Sequence, residues 1–128
     1  MKAAYRGPAQ ALERYEALVA SKRTVERKGA SMPYTSCNGH MFSFLDSEGI
    51  IALRLSDENR EEFEAVYGHS PVEQHGRIMR DYVRVPEQLH VSPEELTCWF
   101  ERSWRWVNSL KPKPTTRARP AKIKGLSR

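Results

Sequence analysis

The 128 residues supply one hydrophobic core and not two, and with 39% hydrophobic and 29% charged side chains they can offset the entropy of ordering a domain, which excludes a wholly disordered chain. No apolar run of about 18 residues occurs, and the N-terminus MKAAYRGPAQALERYEALV lacks the apolar segment and small-residue cleavage site of a secretory signal, so a soluble, cytoplasmic protein without a membrane partner is expected. The net charge of +5 is segregated: residues 1–110 hold 14 Lys+Arg against 16 Asp+Glu, whereas Lys111, Lys113, Arg117, Arg119, Lys122, Lys124 and Arg128 fall in the last segment with no acid.

Pro8 suits a first helical turn, and Ala11, Leu12, Tyr15, Leu18 and Val19 then recur at helical spacing against Glu13, Arg14 and Glu16, which predicts an amphipathic helix. The charged stretch Lys22–Lys28, with Thr24 and Val25 inside it, is read as a short edge strand interrupted by Gly29. Asn38-Gly39 is a two-residue hairpin turn, because both residues accept the positive φ that such a turn demands. Strands flank it, His40 to Leu45 being rich in β-favouring residues, and Asp46-Ser47-Glu48-Gly49 turns the chain into a further strand from Ile50 to Leu55. There Ile51, Leu53 and Leu55 alternate with Ala52 and Arg54, as in a strand with one buried face.

Ser56 is a natural N-cap, with Asp57 and Glu58 favourable to the helix dipole, and Phe63, Val66 and Tyr67 form the apolar stripe of a second helix that Gly68 ends. Val72 to Val85 is read as one hairpin with Gly76 near its turn, stopped by Pro86. Ser92-Pro93-Glu94-Glu95 combines a capping box with a proline at the first helical position; Leu96, Trp99, Phe100, Ser103, Trp106, Val107 and Leu110 then share the core face of a last helix. Trp104 lies at the margin of that face, so a homodimer built through it or through an exposed sheet edge is one expectation. From Lys111 the pattern collapses into proline and single-sign charge, a composition that cannot order itself. The division is a folded domain over 1–110 and a disordered basic tail over 111–128.

No catalytic or metal site emerges. The four histidines show no HExxH or HxH spacing, the two cysteines belong to no CxxC pair and are read as free thiols, and neither GxSxG nor a glycine-rich phosphate loop is present. No cofactor is expected. Tyr34, His40 and Arg54 are candidates to line a groove, the basis of an alternative reading as a small-molecule-binding or hydrolytic protein. The seven tail cations match a polyanion, and contact with phosphates would make nucleic-acid binding nonspecific and steeply salt-dependent.

Read together, Lys28-Gly29-Ala30-Ser31-Met32-Pro33-Tyr34, Asn38-Gly39-His40-Met41-Phe42, Leu53-Arg54-Leu55, Met79 to Pro86 and Ser109 to Pro114 resemble, in order and separation, the TfoX N-terminal-domain family, over roughly Ala9 to Pro114. The resemblance implies an α+β fold of two layers, helices packed on a mainly antiparallel sheet, similar to secretion-chaperone-like domains. It also implies no established enzymatic activity or cofactor. Members that regulate competence carry a second, helical domain where this sequence has its basic tail. The expectation is a non-enzymatic regulatory or interaction module that binds a protein partner or itself, with a tail that adds nucleic-acid affinity.

Overall fold

The computed structural model describes residues 4–74 and 76–112; His75 and the tail cations Lys113, Arg117, Arg119, Lys122, Lys124 and Arg128 lie outside the described residues. Pro8 is extended and hands over to helix α1 (Ala9–Ala20), which buries Ala11, Tyr15, Leu18 and Val19 on one face. The strand expected at Lys22–Lys28 is absent apart from a single bridge between Lys28 and Tyr34. Its side chains are drawn onto helices instead: Arg27 pairs with Glu16, and the Lys22 ammonium sits 3.0 Å from Glu101.

Strands β1 (Tyr34–Cys37) and β2 (His40–Leu45) form the hairpin that Asn38-Gly39 demands, with φ of 56° and 81° at the two turn residues. Pairing runs Cys37 with His40 and Ser36 with Met41, then skips Phe42 to resume with Thr35 opposite Ser43. This bulge lets both Phe42 and Ser43 serve the helix side. Phe42 joins the main core, while Ser43 Oγ lies 2.7 Å from the Tyr15 hydroxyl and 2.5 Å from Thr35 Oγ1 in a fully buried polar triad between α1 and the sheet.

Strand β3 (Ile51–Arg54) pairs with β2, and the chain then leaves through helix α2 (Asp57–Tyr67). Ser56 caps α2 as expected, its Oγ accepting from Asn59 N at 3.2 Å, and Gly68 ends it with φ 89°. Only Phe63 of its stripe is buried, edge-on to Trp99 at 5.1 Å; Val66, taken for a core residue, is 62% exposed because the helix touches the body along one narrow line. The stretch Val72–Val85 is not one hairpin. Strands β4 (Glu73–Gln74) and β5 (Arg77–Ile78) make a separate two-stranded ladder, and β6 (Tyr82–Arg84) crosses to pair with β3. The main sheet has the order β1-β2-β3-β6 and is antiparallel throughout.

After Pro86 come a short helix α3 (Glu87–His90), unforeseen in the sequence because one turn carries no periodicity, and α4 (Pro93–Ser109). Ser92 makes no side-chain cap on α4, against the capping-box expectation; its backbone, at φ −124° and ψ 77°, leaves the usual capping geometry. Leu96, Trp99, Phe100, Ser103 and Val107 are buried, whereas Trp106 and Leu110, placed on the same core face from sequence, are half-buried at its rim. Ser103 is the polar rivet, its hydroxyl donating to the Arg54 carbonyl at 2.5 Å with that of Phe42 also in reach at 3.2 Å.

The result is an α+β fold with helices on an antiparallel sheet. The helix layer encloses one large core; a smaller cluster of Phe44, Ala52 and Val72 fills part of the other face. Ala52 is therefore buried and not solvent-facing as its alternation suggested, since the β4–β5 region brings Val72 over it. No helix among the described residues is long and apolar enough to cross a membrane.

Candidate functional site

The hairpin turn does more than reverse the chain. The Asn38 side-chain amide donates toward the carbonyls of Asn108 at 3.0 Å and of Val107 and Leu110 at 3.4 Å, satisfying the C-terminal end of α4, whose last carbonyls have no intrahelical donors. The turn thus fixes where the chain emerges from α4. At that point His40, the first residue of β2, places Nε2 2.9 Å from the Lys111 carbonyl and Nδ1 3.5 Å from Arg54 Nη1. A guanidinium only donates, so these contacts fit the tautomer in which Nδ1 accepts and the Nε2 N–H donates to the Lys111 carbonyl.

Arg54 is the hub of this end of the sheet. Its guanidinium lies 5.2 Å over the Trp106 ring, and its Nη2 is 3.4 Å from Asp81 Oδ2. Arg60, one turn into α2, pairs with Asp57 at 3.0 Å and approaches Asp81 at 3.9 Å, its Nη1 buried without a hydrogen-bond partner among the described residues. Arg54 lines an open cleft of about 590 Å³ with His40, Asp57, Asp81, Trp106 and Lys111 at its walls. Its charges alternate, so it suits a polar ligand or a partner's charged side chain better than an apolar one. Ser56, also at the wall, has its hydroxyl engaged as the α2 cap and makes a poor nucleophile candidate.

Of the three side chains proposed to share a groove, the structure brings two together. His40 and Arg54 meet directly, but Tyr34 belongs to the opposite end of the β1–β2 hairpin and is half-buried against the Phe44 cluster. Spacing could not separate them, because the hairpin register, with Tyr34 opposite Phe44 and Cys37 opposite His40, sets the distance. Asn38, Asp81 and Trp106 were missed as neighbours of the site; the only signal available in sequence for Asn38 was its turn dipeptide. Trp104 is half-buried and covered by the Lys22 ammonium 3.9 Å from its ring centroid. Cys37 and Cys98 are free thiols, and burial raises the pKa of Cys37 above its ordinary value. Among the described residues no cluster of His, Cys, Asp or Glu could hold a metal ion.

A family model described as the TfoX N-terminal domain matches residues 35–106, more than half of the chain. The matched stretch contains His40, Arg54 and Trp104 and leaves out α1, Tyr34 and every tail cation. Neither the curated proteins nor the solved structures contain a match to this chain.

Proposed function

The chain belongs to the TfoX N-terminal-domain family, and from that premise we propose that it is a non-enzymatic regulatory or interaction module whose basic tail adds nonspecific affinity for nucleic acid. The observation that carries the reading is the segregation of charge across one point in the chain: an acidic body ends at Leu110, and the all-basic segment starts from Lys111, whose carbonyl is tied to His40. Tethering cations to a body of opposite sign confines polyanion contact to the tail.

Binding of DNA and RNA by the full chain and by residues 1–112 across a salt series tests this. Ending the shorter chain after Pro112 keeps the His40–Lys111 contact. The full chain is expected to bind with a steep negative salt slope and the shorter chain weakly at every salt concentration. Equal affinities, or none, would remove the tail from the proposal.

For the body, a protein partner or a second copy is supported by the side of the molecule away from the helices, where Met32, Tyr34, Met41, Met79 and Tyr82 are half-buried against the Phe44 cluster and Ile78 of the adjoining β4–β5 ladder is 58% exposed. This surface carries the reading further than Trp104, which is already covered by Lys22. Sedimentation of the wild type, Ile78→Asp and Trp104→Ala should show association reduced by the first substitution and unaffected by the second; association indifferent to Ile78→Asp would discard this surface.

A further inference from the structure

A second cleft, of about 480 Å³, opens at the other end of the molecule between the start of α1 and the β6–α3 corner. Three features of its wall point to one class of ligand. The first is the N-terminus of α1, where Pro8 provides no side-chain cap and the first turn holds no acid, so the leading N–H groups around Gln10 have neither intrahelical nor side-chain acceptors. Gly49 holds this end in place: at φ 87°, it sits where an added Cβ would come within 3.1 Å of both Ala11 and Pro8.

The second feature is charge that the fold pairs loosely or not at all. Arg14 reaches Glu87 at only 3.5 Å, and Glu87 is mostly exposed. Arg84 and Glu48 line the same cleft, and among the described residues neither has an ion-pair partner. Two opposite charges that line one cleft without pairing with each other can serve a molecule that carries both signs.

The third is His90, 6% exposed at the cleft wall. Burial lowers its pKa below the ordinary 6.5, against the nearby Glu87, so the ring is neutral at pH 7. A neutral imidazole has one N–H donor and one nitrogen that serves only as an acceptor.

We propose that this cleft binds a small zwitterion of the free amino acid class, its carboxylate held by Arg84 and Arg14 at the α1 N-terminus and its ammonium by Glu48 and His90. Arginine forks match carboxylate geometry, and the neutral imidazole and a carboxylate are the acceptors an ammonium needs. The net charge of the four ionised wall groups is zero, which disfavours a phosphate dianion and favours a ligand that is itself neutral overall.

The test uses the full chain, with the standard free amino acids at millimolar concentration as probes, read by thermal shift and by titration calorimetry. At least one should bind and raise the melting temperature. Its C-terminal amide and its N-acetyl derivative should each bind at least about tenfold more weakly, as should the free amino acid to Arg84→Gln and to Glu48→Gln, surface variants whose fold circular dichroism checks. Absence of binding by every amino acid, equal binding of the blocked derivatives, or binding indifferent to Arg84→Gln overturns the proposal.

Discussion

The two faces of the β1-β2-β3-β6 sheet are filled unequally. Toward the helices, Phe42, Leu45, Ile51, Leu53 and Val83 meet α1 and α4 in a continuous core with a buried hydroxyl triad; away from them, only Phe44, Ala52 and Val72 are fully buried, ringed by half-exposed methionine and tyrosine. Both faces are apolar, so hydrophobicity alone does not distinguish them. What differs is the depth of the layer above: two long helices on one side, a two-stranded ladder and loops on the other. The first face is closed over by helices, and the second is left more open to solvent.

Truncating a phenylalanine on each face tests this contrast most severely. Phe100→Ala, beneath α4 with its ring 5.4 Å from Phe42, should cost about 3–5 kcal/mol in urea denaturation. Phe44→Ala should fall at or below the lower end of that range, because Met32, Met41 and Met79 can collapse into the space. Equal losses would mean that the second face is as tightly filled as the first.

Alkaline unfolding probes both faces together. Burial pushes the Tyr15 phenol far above its ordinary 10 and that of Tyr82, on the thinner face, up to about 12. The folded state keeps both phenols neutral, so this contribution is complete below pH 10 and is lost as pH rises through the unfolded value toward 12. Denaturation midpoints should fall steeply over that window, and Tyr15→Phe should flatten the fall more than Tyr82→Phe does.

A smaller effect sharpens the comparison at the sheet's end. Asn38→Asp keeps a residue that tolerates the turn but removes the amide donors and sets a negative charge beside the C-terminal carbonyls of α4. The expected loss is about 1–2 kcal/mol by chemical denaturation. The smallest effect is acidic: because burial depresses the pKa of His90, its contribution is present above 6.5 and lost as pH falls through the lowered value. His90→Gln should make stability less sensitive to pH in that range.

Where local rules act alone, the elements could be read directly. The Asn38-Gly39 turn, the Ser56 cap, the Gly68 stop and the buried positions of α1 and much of α4 follow from φ preference, capping chemistry and helical period, each within a few residues. Errors arose where a distant partner decides. Lys22 and Arg27 prefer Glu101 and Glu16 to a strand, Ala52 is covered by Val72, Val66 finds no neighbour, and β6 leaves its expected hairpin for β3. In the candidate site, His40 and Arg54 could be named as polar residues on strands, but their meeting, and the absence of Tyr34 from it, depends on hairpin register.

The sequence by itself determined α1, α2, α4 and the Asn38-Gly39 hairpin, the family resemblance, and the division between an acidic body and a basic extension, because periodicity, turn chemistry and charge are properties of neighbouring residues. Only the tertiary structure decided that Asn38 closes the end of α4 across 70 residues, that His40 ties Arg54 to the root of the tail, and that Arg84, Glu48 and His90 share a cleft. Those relations come from strand order and helix packing. They are set by the shared core rather than by any single segment.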